Sequence, residues 1–376
     1  MRKLIYADHA ATTALSPLAR SAMEPWLQAE FGNPSTLYSL AREPRKAILS
    51  SREIIADCIG AEPEEIYFTS GGTESDNWAL TGIALQYPER HGQIITSSIE
   101  HHAVLHTCNF LQRLGYSVDF LPVDQYGVVS VDDLEKKIND NSLLVSIMLA
   151  NNEIGTIQPI EELAGMAHRH GCCFHTDAVQ AVGHIPIDVK KMQVDMLSAS
   201  AHKFNGPKGI GFLYIRNGVH IEPLLHGGGQ ENGMRAGTEN VASIVGMAAA
   251  IREHNEHLEL EMEYLQSLSD ILIKELSNAG LDYIENGSKN RVPGSLSLSF
   301  KDTDGEMLLH RLDLMGTEVA TGSACNSKES ELSHVIQAIH VPDDYAKGTI
   351  RITLGMDNDK EQMRHLAQQI SRILQR

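Results

Sequence analysis

Short apolar runs alternate with stretches of helical spacing along the first 215 residues of the chain. Seven of the runs have the length and composition of buried strands, at residues 66–68, 93–96, 118–123, 143–149, 173–175, 196–198 and 211–215. Helical spacing occurs before and between them, at residues 18–30, 42–59, 74–87, 102–114 and 160–170. Because such alternation requires crossover connections, it predicts an α/β fold with a mainly parallel seven-stranded sheet whose faces are covered.

The pattern changes after Gly237. Residues 241–279 have helical spacing without a strong breaker, and a helix of that length commonly connects two domains. Beyond it, residues 294–300 alternate like a strand with one solvent-exposed face. Two more helical stretches follow, at residues 304–316 and 358–374.

These changes divide the chain into two predicted domains. The large domain covers residues 14–259, and a smaller α+β domain covers residues 260–376, with residues 1–13 packing on it. In sheets of the predicted kind, ligands bind beyond the carboxyl ends of the strands. We therefore look for functional side chains where the predicted strands end.

The composition is that of an ordinary soluble globular protein. The 376 residues are 42% hydrophobic and 21% charged, and 31 Lys and Arg against 49 Asp and Glu give a net charge of -18. Such a negative chain disfavours nonspecific binding to nucleic acid and acidic membranes, so we predict neither as a direct partner. The five cysteines are irregularly spaced, which argues against a disulfide framework and favours a reduced, cytoplasmic protein.

Lys203 follows one of the predicted strands. Apolar and small residues lead from Val194 to Ala201, and a glycine-rich turn follows the lysine. A lysine amine in a partly desolvated site forms Schiff bases with carbonyl compounds, whereas most lysines in turns are solvated surface groups. A lysine that binds pyridoxal 5'-phosphate (PLP) also needs a phosphate site, a carboxylate for the pyridinium and a stacking ring.

A candidate phosphate site lies at residues 70–75, SGGTES, which follow the first strand of the sheet and open a helix. Glycines such as Gly72 let the backbone approach an anion closely, the helix N-terminus directs N–H groups at it, and the Thr73 hydroxyl adds a donor. The alternative is an ordinary helix cap formed by Thr73 or Ser70.

Polar side chains follow three other predicted strands. Asp177 would pair with a pyridinium nitrogen, with Gln180 donating to the phenolic oxygen of the same ring; the alternative for Asp177 is a helix cap. His101 would stack on the ring and move protons near its ordinary pKa of about 6.5. Asn152 would reach the same ring. Each residue alone has a purely structural alternative, but together with Lys203 they complement one PLP molecule.

Ten motifs in a fixed order run nearly end to end. They are YADHAATT at 6–13, FGNPS at 31–35, SGGTES at 70–75, EH at 100–101, NNEIGT at 151–156, HTDAVQ at 175–180, SAHK at 200–203, RAGT at 235–238, TGSAC at 321–325 and RITLG at 351–355. In this order they resemble the cysteine desulfurases of the bacterial NifS/IscS type, which belong to the class V aminotransferase family and have PLP fold type I. The resemblance implies a PLP-dependent homodimer.

The resemblance also implies a role for each matched residue. Lys203 would bind PLP covalently and move protons at the substrate α-carbon. Three side chains would hold the phosphate: Thr73, Ser200 and His202. Thr238 would reach the site of the other subunit. Asn152 and Arg351 would bind the substrate carboxylate, for which a planar guanidinium is well suited.

Cys325 is the residue that favours a cysteine desulfurase over other members of the class V aminotransferase family. It lies in a small, polar segment, TGSACNS at 321–327, whose composition is typical of a loop that carries a thiol between a buried site and an outside acceptor. By the resemblance, L-cysteine is the substrate, Cys325 takes its sulfur as a persulfide, and L-alanine leaves. A sulfur-acceptor protein, either an iron–sulfur scaffold or a tRNA-thiolation enzyme, would then receive the sulfur.

Three other functions fit parts of the sequence. A selenocysteine lyase, a relative that prefers cysteine sulfinate, or another class V PLP enzyme would share most of the motifs, although the length of the segment after Cys325 favours the desulfurases. A noncatalytic sulfur-relay protein would not need the PLP residues, which are all present. A zinc hydrolase would use Cys172, Cys173 and His175, but adjacent strand residues point to opposite faces, so we predict no metal.

Overall fold

The structure is a computed structural model, and it describes residues 4–86, 91–322 and 332–375. The strands are β1 Ile5–Tyr6, β2 Ile66–Thr69, β3 Gln93–Ser97, β4 Ser117–Leu121, β5 Ser142–Ser146, β6 Cys173–Asp177, β7 Met196–Ser200, β8 Gly211–Ile215, β9 Tyr283–Asn286, β10 Ser295–Phe300, β11 Thr317–Glu318 and β12 Thr349–Thr353. The helices are α1 Pro17–Gln28, α2 Arg42–Ile59, α3 Gly72–Gln86, α4 His102–Arg113, α5 Val131–Lys137, α6 Ile160–Arg169, α7 Val241–Asn278, α8 Gly305–Leu314, α9 His334–Ala338, α10 Asp343–Ala346 and α11 Lys360–Leu374.

Within the described residues, the largest sheet has seven strands in the order β2, β8, β7, β6, β5, β3, β4. β8 runs antiparallel to both neighbours, and the other pairs are parallel. Successive residues pack into different hydrophobic cores, since Ile95 and Val145 join one core while Ile94 and Leu144 join another. The predicted α/β fold with a mainly parallel, covered seven-stranded sheet is confirmed.

The carboxyl ends of β2, β3, β5, β6 and β7 lie at one edge of this sheet, because these strands all run in the same direction. β6 ends at Asp177, and β7 ends at Ser200 with a short 3₁₀ turn, Ala201–Lys203, directly after it. This parallel arrangement is what brings sequence segments more than 100 residues apart to one place.

Helix α7 contributes to two separate cores. Its 38 residues extend over roughly 57 Å at about 1.5 Å per residue. Ile244 and Met247 pack into a core of the large sheet, whereas Leu265 and Leu272 pack into a core built on β10 and β12. No helix in the three described ranges, α7 included, is long and apolar enough to cross a membrane.

The C-terminal part of the chain forms a three-stranded antiparallel sheet in the order β12, β10, β9, while β11 pairs with β1 near the N-terminus. The prediction that β10 has a solvent-exposed face is wrong, because all six of its residues are buried. Asn286 donates to the hydroxyls of Ser297 and Ser299 at 3.1 and 2.7 Å. Since neighbouring side chains satisfy these small hydroxyls, the polar face does not need water.

Candidate active site

A cavity of about 240 Å³ opens at the carboxyl edge of the large sheet. Nine of the residues predicted to bind the cofactor line it: Gly72, Thr73, His101, Asn152, Asp177, Gln180, Ser200, His202 and Lys203. Asp76, Met148 and Val179 complete the lining. The cavity therefore collects side chains that follow five different strands of one sheet.

The start of α3 forms one wall of the cavity. A Cβ atom on Gly72 would lie 2.5 Å from Cγ2 of Val179, so this position requires glycine for close packing. The Ser75 hydroxyl stabilises the turn between β2 and α3. It forms hydrogen bonds with Thr69 Oγ1 at 2.8 Å and with the Phe212 carbonyl at 3.1 Å. The exposed Thr73 side chain faces the cavity, next to the N–H groups of the first helical turn, which is the arrangement an anion prefers.

The amine of Lys203 lies against the N-terminal segment of the chain. Nζ donates to the carbonyls of Ala10 at 2.6 Å and Ala11 at 2.9 Å, and Nε2 of Gln180 donates to Ala10 at 3.0 Å. Thr13 Oγ1 in turn donates to the carbonyl of His202 at 3.0 Å. The first residues of the chain thus form part of the wall around the lysine.

Asp177 is buried at the end of β6, with 5% of its surface exposed. One oxygen accepts from the Val179 N–H at 2.9 Å, and the side chain also lines the cavity. The alternative of a helix cap does not hold, because residues 179–184 form turns and not a helix. Burial raises the pKa of Asp177, while the Val179 N–H and the Lys203 ammonium lower it. A carboxylate in this position is stabilised by a further cation, which a pyridinium nitrogen would provide.

His101 caps helix α4, because its Nδ1 accepts from the Ala103 N–H at 3.1 Å. The ring proton is therefore on Nε2. Burial, together with the Lys203 ammonium, lowers the pKa of His101 to about 4. A pKa this low favours a neutral ring, which suits stacking on a flat cofactor. The expected role of His101 in moving protons stays a prediction.

Arg351 and Asn152 lie together beside the cavity. The guanidinium donates from Nη1 to the Asn152 carbonyl at 3.0 Å and from Nη2 to Oδ1 of Asp8 at 2.6 Å. In the described part of the chain, the buried Nε finds no acceptor. A buried donor without a partner is costly, so this edge of the guanidinium is suited to an anion such as a carboxylate.

Among the described residues, Arg351 and Thr238 are predicted site residues that are not part of this cavity's lining. Thr238 is exposed and outside the lining, although Arg235, three positions earlier, forms a bidentate ion pair with Glu74 on α3 at 2.8 and 3.1 Å. Cys325 lies outside the described residues. Its predicted role therefore stays a prediction.

The residues present fit PLP. The cavity combines a lysine amine, a buried carboxylate, a neutral imidazole and a helix N-terminus flanked by the Ser200 and His202 side chains. The requirements for a Schiff base, a pyridinium partner, a stacking ring and a phosphate site are all met. Burial and the nearby Lys203 charge lower the pKa of His202 to about 4. The imidazole of His202 is therefore neutral, like that of His101.

Comparison with known proteins identifies the family. The model of the family "Aminotransferase class-V" matches residues 5–366. The chain belongs to the class V aminotransferase family. This class V protein is 50% identical over 377 residues to cysteine desulfurase IscS of Dictyoglomus turgidum, covering 100% of this chain and 96% of the relative. It is 48% identical over 374 residues to cysteine desulfurase IscS of Methanosarcina thermophila, with 100% and 93% covered.

Solved structures of similar proteins share the fold of this class V protein. A NifS-like protein superposes with a TM-score of 0.94 at 39% identity, covering 99% of this chain and 100% of the other. The structure titled "SspA in complex with cysteine" superposes with a TM-score of 0.83 at 38% identity, covering 93% and 98%. The predicted resemblance to NifS/IscS-type proteins and the predicted fold class are confirmed.

Sequence reasoning missed two carboxylates of this class V protein. Asp76 lines the cavity, and Asp8 binds Arg351. Asp76 lies on the buried face of α3 with Ala79 and Ile83. A single acidic residue on an apolar helix face is the sequence pattern that could have identified it. Asp8 follows a short apolar run, which is the same signal that selected Asp177.

Proposed function

We propose that this protein is a PLP-dependent cysteine desulfurase that converts L-cysteine to L-alanine and holds the sulfur as a persulfide on Cys325. The observation that carries the proposal is the single cavity in which Lys203, Asp177 and His101 meet at the carboxyl edge of the sheet. The full-length similarity to proteins named cysteine desulfurase supports the same assignment.

Different residues of the cavity would bind different parts of the cofactor. PLP, when bound, supplies an electron sink that makes the proton on the substrate α-carbon acidic. Ser200, His202 and Thr73 would hold its phosphate together with the N-terminal turn of α3. Asp177 would pair with the ring nitrogen, Gln180 would donate to the ring oxygen, and the neutral His101 ring would stack on the cofactor.

Arg351 and Asn152 orient the substrate. The free Nε edge of Arg351 binds the carboxylate of cysteine, and the Asn152 side chain, which lines the cavity, binds beside it. Lys203 accepts the α-proton and returns a proton to the product. Its amine donates to the Ala10 and Ala11 carbonyls, which hold it in the lining of the cavity.

Cys325 accepts the sulfur. The carbon–sulfur bond of L-cysteine breaks and a sulfur–sulfur bond to Cys325 forms, so a thiol and L-cysteine become a persulfide and L-alanine without an outside oxidant. Burial raises the pKa of three other thiols, to about 11 for Cys58, about 12 for Cys108 and about 11 for Cys173. Because the thiolate is the nucleophile, these side chains are poorly suited to the same step.

Surface residues near the start of α3 support contact with a second subunit. Thr238 is exposed and tied to α3 through the Arg235–Glu74 pair, and apolar Phe31 and Leu37 are 73% and 99% exposed. Large exposed apolar side chains favour contact with another chain. We assign this surface to a homodimer in which Thr238 enters the second site. A sulfur-acceptor protein for iron–sulfur cluster assembly or tRNA thiolation then removes the persulfide.

Replacement of Cys325 tests the proposal. The Cys325→Ser variant keeps the yellow cofactor but releases no alanine from cysteine when a dithiol is present, whereas Lys203→Ala lacks the cofactor's lysine-linked absorption. The matched control, Cys173→Ser, removes a half-buried thiol of the core and keeps alanine formation. Full activity of Cys325→Ser would discard the sulfur-transfer role, and a colourless wild-type protein that cannot be reconstituted with PLP would discard the function.

A further inference from the structure

A second buried carboxyl group lies in the cavity, at Asp76. It follows Gly72 by one turn of α3, is 1% exposed, and lines the cavity together with Asp177. Among the described residues, its Oδ1 has no hydrogen-bond partner. The role of Asp177 does not account for a second acidic side chain at the same place.

In the described part of the chain, the basic side chain that lies within 4 Å of Asp76 is an imidazole. Nε2 of His175 is 3.8 Å from Oδ1 of Asp76. His175 is completely buried and bonds through Nδ1 to Ser146 Oγ and through Nε2 to Ser198 Oγ, both at 2.9 Å. Because burial lowers the pKa of this imidazole to about 3, it is neutral. Besides Asp177, the acidic group of Glu100 acts on Asp76. When Glu100 is ionised, its negative charge repels an ionised Asp76 and so raises the pKa of Asp76.

Asp76 and Asp177 are thus two buried carboxyl groups in a site that would receive one positive charge from the cofactor ring. Like charges in such a site cannot both ionise at ordinary cost, so one group keeps its proton. Asp177 has an N–H donor from Val179 and feels the Lys203 ammonium, both of which favour its ionised form. Asp76 has Ser198 as a hydrogen-bonding neighbour and repulsion from Asp177. The proton therefore belongs on Asp76.

We propose that Asp76 is a positioning residue that stays protonated beside Asp177, so that Asp177 alone carries negative charge opposite the ring nitrogen of the cofactor. This inference rests on the proposed function, because the ring nitrogen belongs to PLP. A neutral acid at position 76 fills the space, contributes a hydrogen-bond donor and leaves the charge of the site at one. An ionised Asp76 would compete with Asp177 for the same cation.

Infrared difference spectroscopy tests the protonation directly. The spectrum of the wild-type holoenzyme at pH 7 minus that of Asp76→Asn contains the carbonyl band of a protonated carboxylic acid, which shifts in D₂O. A difference spectrum is needed because burial also raises the pKa of Glu100 to about 8 and of Glu153 to about 7. The matched control Asp57→Asn, on the exposed surface of α2, leaves the carbonyl band of the protonated acid unchanged.

A pH titration of the bound cofactor's absorption gives a second readout. Asp76→Asn leaves the midpoint of this titration where it is in the wild type, since one neutral group replaces another, while Asp177→Asn shifts it. Asp76→Ala, which needs no hydrogen-bond partner, serves as a second variant and gives the same loss of the acid band.

The two proposals fail in different ways. Loss of an ionised band from Asp76→Asn, or a shifted midpoint in that variant, overturns the inference while PLP binding and alanine formation stand. A protein that takes up no PLP overturns the proposed function, and the infrared spectrum of that same protein still reports whether position 76 holds a proton.

Discussion

Arg351 and Asp8 form an ion pair at 2.6 Å across 343 positions of the chain. Both side chains are largely covered, with 8% of Arg351 and 19% of Asp8 exposed. Nη1 and Nη2 of the guanidinium are both bonded, while the buried Nε has no acceptor among the described residues. The N-terminal segment therefore sets the orientation of the group that we assign to the substrate carboxylate.

Replacement of Asp8 by Asn weakens cysteine binding. Loss of the carboxylate releases Nη2 of Arg351, so the guanidinium no longer holds one orientation, and KM for cysteine rises about tenfold, which corresponds to about 1.4 kcal/mol. Because Lys203 and the cofactor residues are untouched, kcat changes less than KM. Steady-state alanine formation measures both constants.

The control for this variant is Asp357→Asn, which removes a neighbouring pair between Asp357 and His9 at 2.9 Å. It leaves Arg351 in place and keeps KM near the wild-type value. A lowered kcat with unchanged KM in Asp8→Asn would contradict the assigned role.

Replacement of Gly72 by Ala disturbs the start of α3. The new methyl group would lie 2.5 Å from Val179 Cγ2, so either the helix or the Val179 side chain must move away from the phosphate site. We expect PLP to dissociate more readily, measured as a Kd increase of about tenfold by absorption titration. The double variant with Val179→Ala restores the space and recovers affinity.

Gly165 is the control for Gly72, because it has room for a side chain. A Cβ on Gly165, inside α6, meets nothing within 4 Å. Gly165→Ala therefore keeps PLP affinity and raises stability by up to about 1 kcal/mol through helix propensity. If both glycine variants lose PLP equally, close packing at position 72 is not the cause.

Glu100 makes the stability of the protein depend on pH. It is fully buried, accepts from Ser97 Oγ at 2.6 Å and from the Met148 N–H at 3.0 Å, and burial raises its pKa to about 8. Because the unfolded chain releases this proton near pH 4.3, the contribution of Glu100 to stability is largest below that pH and is lost as pH rises to about 8.

Glu100→Gln removes this dependence. Its free energy of unfolding exceeds that of the wild type by an amount that grows toward alkaline pH, by about 1.4 kcal/mol per unit at most. Urea unfolding at pH 5, 6.5 and 8 measures the difference. The exposed Glu64→Gln is the control and shows a constant, small difference. A Glu100→Gln difference that stays constant with pH would mean that Glu100 is ionised in the folded protein.

Subunit mixing tests the position of Thr238. If Thr238 completes the phosphate site of a partner subunit, as proposed, Thr238→Ala removes one hydroxyl from that site, and we expect PLP affinity to fall about tenfold. When Thr238→Ala subunits are mixed with Lys203→Ala subunits, half of the sites in each mixed dimer contain both an intact lysine and an intact threonine. Recovery of tight, lysine-linked PLP in the mixture is the expected result. Without recovery, Thr238 serves its own subunit or no site.

The large sheet and most of its cavity were predictable because their signals are local. A buried parallel strand is an apolar run, and a ligand side chain at its carboxyl end is a polar residue directly after that run, as at Asp177 and Lys203. These signals need no knowledge of which strands are neighbours. The same logic located Asn152 and His101.

Other features depend on contacts that a periodicity does not contain. β1 and β11 have two residues each, and Ile5 pairs with Thr317, so neither strand has a pattern to detect. The buried serine face of β10 has the same alternation as a solvated face. The low pKa of His101 follows from burial and from the Lys203 charge, which are properties of the folded cavity.

The N-terminal wall of the cavity has a consequence for how each molecule is made on the ribosome. His9 and Ala10 are anchored by the backbone and hydroxyl oxygens of Thr353, at 3.2 and 2.9 Å. All strands of the large sheet are translated well before Thr353, so the sheet can form first. His9 and Ala10 can form their hydrogen bonds only after β12, which ends at Thr353, has been synthesised. The surroundings of Lys203 are thus completed only near the end of translation.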